Sequence, residues 1–339
     1  MGKRKISAII VSHNRKSVIG SVKSAFNQDF PESDFEVIVI ADKTIEGLDE
    51  FKRYTNFKLH YVDIPEPGPK WAIGVENSEG DILCFLDDDD EWVRDKLKTV
   101  YQIFQDNLTL TYYHNNHVSV DENTKVIPNY PELRHYHAIN KIGYFTTISN
   151  ESSRNQFQLF STLGAPFNNS CISIKKEVVL PLLGYLKKGK WMVDYFLFYC
   201  NMVNGKDIIV DSRQLTLYRR RAGNGEIQMD NIHGRVKMYE RYEESHLQYL
   251  LMSKGTPLEP YLKWVVAKIS LMKALFGKEV PRSKEFNDIL EVVRNVPLAD
   301  SNSILSSLIL SFVVMCSFIS RNVSDSLLVL MDHLGLSLL

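Results

Sequence analysis

The stretch "DILCFLDDDDEW", Asp81 to Trp92, runs from an unbroken apolar segment into four consecutive carboxylates, Asp87 to Asp90. A short, wholly apolar run bounded by polar residues reads as a strand covered on both faces. Four adjacent acids repel one another and raise one another's pKa values, so a positive partner is expected beside them. Acids are also favourable at a helix N-terminus, and "EWVRDKLKTVYQIFQ" has helical spacing. A helix start accounts for Asp90 and Glu91 but poorly for Asp87, which follows Phe85-Leu86 directly. Alternation along an extended chain puts Asp87 and Asp89 on the same side. Such a pair suits a hard divalent cation, Mg²⁺ or Mn²⁺, shared with phosphate oxygens. The spaced acids and glycine of an EF-hand are missing.

Upstream, "ISAIIVS" and "FEVIVIAD" are two more apolar strands, and "KLHYVDI" is a third. Helical spacing at Val18, Val22 and Phe26, with Asn14 as the expected cap, separates the first two. Leu48 to Tyr54 and "KWAIGVENSEG" supply further short helices. Apolar strands alternating with helices predict a parallel α/β sheet covered on both faces. Ligands of such sheets bind beyond the carboxyl ends of the strands. Ser12, Asn14, Asp42 and Asp87 all fall at such ends and converge on one crevice, which His13 is expected to line.

Composition narrows the function classes. The chain has 339 residues, and its 40 basic and 41 acidic side chains give a formal charge of −1. Nothing global therefore points to nucleic acid. The four cysteines, Cys84, Cys171, Cys200 and Cys316, form no CxxC pair, and three lie in apolar runs. They read as buried free thiols in a reducing compartment, so a cytoplasmic location is expected. The apolar run near the N-terminus is too short for a signal-peptide core.

These residues carry a resemblance. "AIIVSHNR" resembles the opening strand and Asn-Arg turn of the family 2 glycosyltransferases. "FEVIVIAD" resembles their second strand, and "GPKWAIGVENSEGDILCFLDDDDEW" their Gly-rich turn, short helix and F-L-D-x-D-D signature. "PFNNSCISIKKEVV", "GKWMVDYFLFYCNMVNGKDIIV" and "LTLYRRRAGN" are similar to the returning strand, the helix with the catalytic acid and the strand ending in Tyr-Arg. The match runs over roughly residues 5 to 225 and departs from the pattern at Lys43, Trp71-Ala72 and Val193. The resemblance implies a GT-A Rossmann-like, mostly parallel sheet with helices on both faces. It implies an inverting enzyme that moves a sugar from a UDP- or GDP-sugar to a glycan or lipid-linked acceptor hydroxyl, with Mg²⁺ or Mn²⁺. Ser12, Asn14, Arg15, Asp42, Lys70, Asp87, Asp88 and Arg219 would bind the donor, and Asp87 with Asp89 the metal. Asp194 would be the base.

The chemistry of these residue types agrees with those roles. A departing diphosphate needs a cation, and an acceptor hydroxyl needs a base within hydrogen-bond reach. Asp194 is a lone acid among apolar neighbours, so desolvation should raise its pKa; a helix-capping role is the plain alternative. Arg219 can meet phosphate oxygens in bidentate fashion, and Trp71 suits either stacking or packing. His114, His117, His135 and His137 do not share one helix face and read as surface residues. Two other functions fit the same fold: a catalytically silent nucleotide- or sugar-binding protein, and a nucleotidyltransferase.

Domain limits are expected at 1–225 for the transferase part, divided into 1–117 and an acceptor half 118–225, with an all-helical region 226–339. The polar stretch 118–163 shows no regular period and reads as an acceptor-side loop. In the tail, Val236, Tyr239, Tyr242, Leu247 and Leu250 are expected to form one apolar stripe, with Lys263, Lys268 and Lys273 on a separate face of the next helix. Residues 304–319 are too short to span a bilayer comfortably. They read as a buried helix, with interfacial or dimerising roles next and a membrane span last, so peripheral contact on the cytosolic face or a dimer belongs among the expectations.

Overall fold

The computed structural model describes residues 5–127, 144–147, 163–220 and 232–276, with isolated positions at 157, 160, 161, 287, 288, 292, 308 and 312. They fall into two compact units, Met1–Glu151 with Phe160–Ala222, and Ser152–Leu159 with Gly223–Leu339.

The first unit is built on one mixed sheet. Strands β1 (Ile6–Ser12), β2 (Phe35–Ala41), β3 (Phe57–Tyr61) and β4 (Ile82–Asp87) are parallel neighbours in the order β3-β2-β1-β4. Every residue of β1 and β2 is buried, as their mainly apolar character requires; the buried Glu36 of β2 accepts from Ser7 Oγ of β1. Beyond β4 the order continues through β8 (Ile172–Lys175), β6 (Leu110–Val120), β9 (Asp207–Arg219) and β5 (Glu91–Trp92), while β7 (Tyr144–Thr147) pairs with β9. Strand β8 runs antiparallel to both β4 and β6, and β6 is parallel to β9.

Helices cover both faces. On one, Val18, Val22 and Ala25 of α1 (Val18–Phe26) and Leu97, Val100, Ile103 and Phe104 of α3 (Lys96–Asp106) share a core with Ile6, Ala8, Ile10, Cys84 and Leu86. On the other, α2 (Pro67–Glu76) packs so closely that a Cβ on Gly74 would lie 2.4 Å from Ile9 Cγ2. A side chain there would push the helix off the sheet. Trp71 is buried edge-on against Phe85, ring centroids 5.2 Å apart, which assigns it to packing. Two one-turn helices, α4 (Lys176–Val179) and α5 (Leu183–Leu186), lead to α6 (Val193–Asn204).

Several expectations are corrected. Asn14 does not cap α1; it has φ 62° and the cap position is Ser17. Glu91 and Trp92 are not helical but pair with Leu217 and Thr216 of β9, so Asp87–Asp90 do not open a helix. The division at residue 117 falls inside β6, whose central place in the sheet joins the two halves. His114 and His117 are buried, 2% and 5% exposed, because β6 is covered on both faces; His135 and His137 lie outside the described residues. Cys84, Cys171 and Cys200 are buried free thiols as expected, and Cys316 lies outside the described residues.

The described part of the second unit consists mainly of α7 (Ile232–Met252) and α8 (Glu259–Phe276). The buried face of α7 carries Met238, Tyr239, His246, Tyr249 and Met252, whereas Leu247 is 45% exposed; the apolar stripe is thus rotated from the expected one. Lys268 is buried with its ammonium 4.1 Å from the Trp264 ring centroid, and Lys273 pairs with Glu243, so the three lysines do not share a solvated face. Residues 304–319 lie outside the described residues except Leu308 and Phe312. Among the described residues no helix is long and apolar enough to cross a membrane.

Candidate active site

The carboxyl ends of β1, β2 and β4 lie side by side, where parallel α/β sheets bind their ligands. At the β1–β2 end every charge has a partner. Lys70 is wholly buried on α2, and its ammonium donates to Asp42 Oδ1, to Ser12 O (3.3 Å) and to His13 Nδ1 (2.8 Å). An ammonium has no acceptor, so the imidazole nitrogen facing it must be the unprotonated one. Burial and then Lys70 lower the His13 pKa, so the ring is neutral with its proton on Nε2. Asn14 Nδ2 donates to Asp42 Oδ2 at 3.5 Å.

Asp88 turns inward. Its Oδ2 accepts from Ser12 Oγ (3.1 Å) and His13 N–H (2.8 Å), and Arg15 donates to its Oδ1 at 3.3 Å. The same Arg15 nitrogen reaches Asp89 Oδ2 at 2.8 Å. Ser12 and Asp88, both read from the sequence as donor ligands, therefore bind each other and fix the loop that presents His13 and Asn14. Lys70, read in the same way, is a buried support for Asp42.

The β4 end is built differently. Asp87 receives Asn169 Nδ2 at 3.1 and 3.5 Å. Its carboxyl is pushed well above the usual range by burial, then by Asp90, Asp89 and Asp194. Asp90, 1% exposed, accepts from Asn168 Nδ2 (3.2 Å) and Arg219 N–H (2.9 Å), and burial followed by Asp89 pushes its pKa up to about 7. Asp194 accepts from Asn168 N–H (3.2 Å) and Tyr195 N–H (2.9 Å). Burial raises its pKa to about 6, in the direction expected from its apolar neighbours. It is not the helix cap: Met192, with φ 55°, holds that position in α6.

Arg219 differs from its expected role. Its Nε donates to Asp89 O, its Nη1 to Asp121 O and Glu122 O, and its Nη2 to Glu91 Oε1 (2.5 Å) and Thr124 Oγ1. All five guanidinium donors are thereby committed within the protein. The residue clamps the acidic loop against β9, and no donor is left for a pyrophosphate. The residues that sequence reasoning passed over are Asn168 and Asn169. Both stand in the quoted "PFNNSCISIKK", but an Asn-Asn pair before a strand signals only a turn; the sheet topology brings it to the carboxylates.

The donor set fits a hard cation. Asp87 carries an uncompensated burden of neighbouring negative charge, and Asn169 Oδ1 beside it is buried with no hydrogen-bond partner among the described residues. Oxygen ligands of this kind suit Mg²⁺ or Mn²⁺. Among the described residues no group of three or more His, Cys, Asp or Glu side chains would hold a metal by itself. Mg²⁺ takes one or two carboxylates and completes its shell with substrate phosphates and water.

A doubly covered α/β sheet with polar strand ends, an acidic loop and a partly buried acid beside it is an architecture whose ligands sit beyond the carboxyl ends of the strands. Residues 7–163 match the family described as Glycosyl transferase family 2. An uncharacterized glycosyltransferase of Rickettsia bellii is 30% identical over 128 residues, 36% of this chain and 18% of that protein. The poly(ribitol-phosphate) beta-N-acetylglucosaminyltransferase TarS of Staphylococcus aureus is 28% identical over 101 residues, 28% of this chain and 18% of that protein. The matched segments thus span less than a fifth of those two relatives. In fold, the chain is similar to the crystal structure of S. aureus TarS 1–349 in complex with UDP-GlcNAc. The TM-score is 0.61 at 16% identity, covering 95% of this chain and 91% of that one.

Proposed function

We propose that the protein is an inverting glycosyltransferase that moves a sugar from a UDP-sugar to a hydroxyl of a glycan or polyol-phosphate acceptor. The observation that carries this reading is Asp194: a carboxylate with a pKa raised to about 6, held by two backbone N–H groups at the acidic end of the crevice. The choice of UDP is supported by the UDP-GlcNAc complex of TarS. The acceptor class is supported by the poly(ribitol-phosphate) named for TarS.

In this reading Asp42 and His13 Nε2–H meet the nucleoside, and Asn14 and Arg15 line its path toward the phosphates. Asp194, ionised above its raised pKa, takes the acceptor proton. The acceptor oxygen forms its bond to the anomeric carbon as the bond from that carbon to the diphosphate oxygen breaks, and the diphosphate leaves with the electron pair. One displacement inverts the anomeric centre. A divalent cation held by Asp87 and Asp89 would supply Lewis-acid stabilisation of the leaving diphosphate. The helical unit is assigned to acceptor access, membrane contact or assembly.

Asp194→Asn tests the reading. The amide keeps the size of the side chain and cannot take a proton, so turnover should fall by about a hundredfold to ten-thousandfold. UDP affinity should stay near that of the wild type, because the nucleotide is held by other residues. Near-normal turnover in Asp194→Asn would refute the base assignment.

A further inference from the structure

One three-residue turn touches every uncompensated carboxylate of the site. Asn169 Nδ2 holds Asp87, Asn168 Nδ2 holds Asp90, and Asn168 N–H holds Asp194. Ser170 adds its hydroxyl to the Asp87 backbone N–H at 3.0 Å. The turn is itself pinned: Asn168 Oδ1 accepts from Ser170 N–H at 2.8 Å, and Ser170 O accepts from Trp92 Nε1 (2.9 Å) and Thr216 Oγ1 (2.9 Å). Asn168 is 5% exposed and stands at φ 66°, ψ 110°. An L-residue keeps such a conformation only where its surroundings over-determine it. A turn needed only to reverse the chain would take glycine at φ 66° without cost; asparagine there supplies an amide that glycine lacks.

We propose that Asn168 and Asn169 are positioning residues for the transfer reaction. Asn169 sets the Asp87 carboxylate for the cation and donor, and Asn168 sets Asp194 against them, so that one rigid turn fixes the distance between leaving group and base. The proposal rests on the transferase reading above. It is independent of which sugar moves, since the two side-chain amides and the Asn168 N–H act on carboxylates of the protein. The two asparagines have separable duties. Asn169 acts on the donor side through its side chain. Asn168 acts on the base through a backbone N–H, whose direction depends on the φ that its own side chain secures at Ser170.

The test uses the full chain and three variants, Asn169→Ala, Asn168→Ala and Asn168→Gly, each checked by thermal melting and assayed below its melting range. Two quantities are read: the calorimetric affinity for UDP with Mn²⁺ or with chelator, and kcat with a UDP-sugar. Loss of an outer-shell partner typically costs about ten- to hundredfold in metal affinity or activity. Asn169→Ala should therefore weaken Mn²⁺-dependent UDP binding by about tenfold and leave binding in chelator unchanged. Asn168→Ala should keep UDP affinity and lower kcat by about tenfold to a hundredfold, because small misplacement of a reacting group has that effect. Asn168→Gly, which accepts φ 66° and keeps the N–H, should recover part of that kcat. A purely structural turn predicts folded variants with wild-type affinity and kcat, and that result overturns the proposal. Asn168→Ala and Asn169→Ala changing the same quantity equally would overturn the division of duties. If the wild type neither binds UDP nor turns over any nucleotide sugar, the transferase reading falls and takes this inference with it.

Discussion

The two ends of the crevice are built on opposite electrostatic terms. At the β1–β2 end, Lys70 answers Asp42 and Arg15 answers Asp88 and Asp89. At the β4–α6 end, Asp87, Asp90 and Asp194 are held by neutral amides and backbone N–H groups, and burial raises all three pKa values. A paired buried charge is a finished structural element, whereas breaking the pair is costly. Unpaired acids gathered at one place are stable only when protonated or when a cation joins them. The contrast separates the part of the site that is preformed from the part that a ligand completes.

Substitution of matched residues at the two ends should give opposite signs. Asp87→Asn removes one of the mutually repelling carboxylates while keeping shape. Turnover should fall by about a hundredfold or more, in the range that follows loss of a stabilising group aimed at developing charge. The melting temperature in chelator should rise. Lys70→Met should do the reverse at the other end. It strands Asp42, which is 18% exposed, so the loss is set below the range for a fully buried pair, at about 2 kcal/mol. The melting temperature then falls, with UDP affinity falling alongside because Asp42 loses its anchor. A stabilised Lys70→Met, or a destabilised Asp87→Asn, would erase the contrast.

The smallest effect is on pH dependence. Asp90 and Asp194 have folded pKa values of about 7 and about 6, above the ordinary carboxylate value of 3.8. The folded state therefore binds these protons more tightly than the unfolded state does. By linkage their contribution to stability is fully present below the unfolded pKa and is lost as pH rises through 6 to 7. In chelator, melting temperature should rise by a few degrees on going from pH 8 to pH 5.5, and Mn²⁺ with UDP should flatten that slope. Turnover should run the other way, falling below about pH 6 as Asp194 becomes protonated. A melting temperature indifferent to pH would place these carboxylates in more polar surroundings.

How much of this was legible in the sequence divides along the same line. The strands β1, β2 and β4 were readable because continuous apolar runs have one stable use, burial in a covered parallel sheet. Strand ends then placed Ser12, Asn14, Asp42 and Asp87 together, and the apolar setting of Asp194 gave the direction of its pKa shift. Pairings between distant segments were not readable. Glu91-Trp92 reads as a helix start locally and becomes a strand because β9 lies alongside. Arg219 looks like a phosphate ligand until the carbonyls of Asp121 and Glu122 are seen to receive it. Lys70 looks like a donor ligand, yet Asp42, His13 and Ser12 enclose it. Asn168 and Asn169 matter only because β8 runs back antiparallel beside β4, bringing their turn to the acids.

The most direct test is calorimetric titration of UDP into the wild type and Asp87→Asn, each with Mn²⁺ and with chelator. If the acidic end is completed by a cation and the donor diphosphate, wild-type affinity should be at least about tenfold higher with Mn²⁺, in keeping with a cation shared between carboxylate and phosphate. In Asp87→Asn the two conditions should give the same weak binding, set by the preformed β1–β2 end alone. Equal UDP affinity in all four titrations would contradict the division of the site into a preformed and a ligand-completed end.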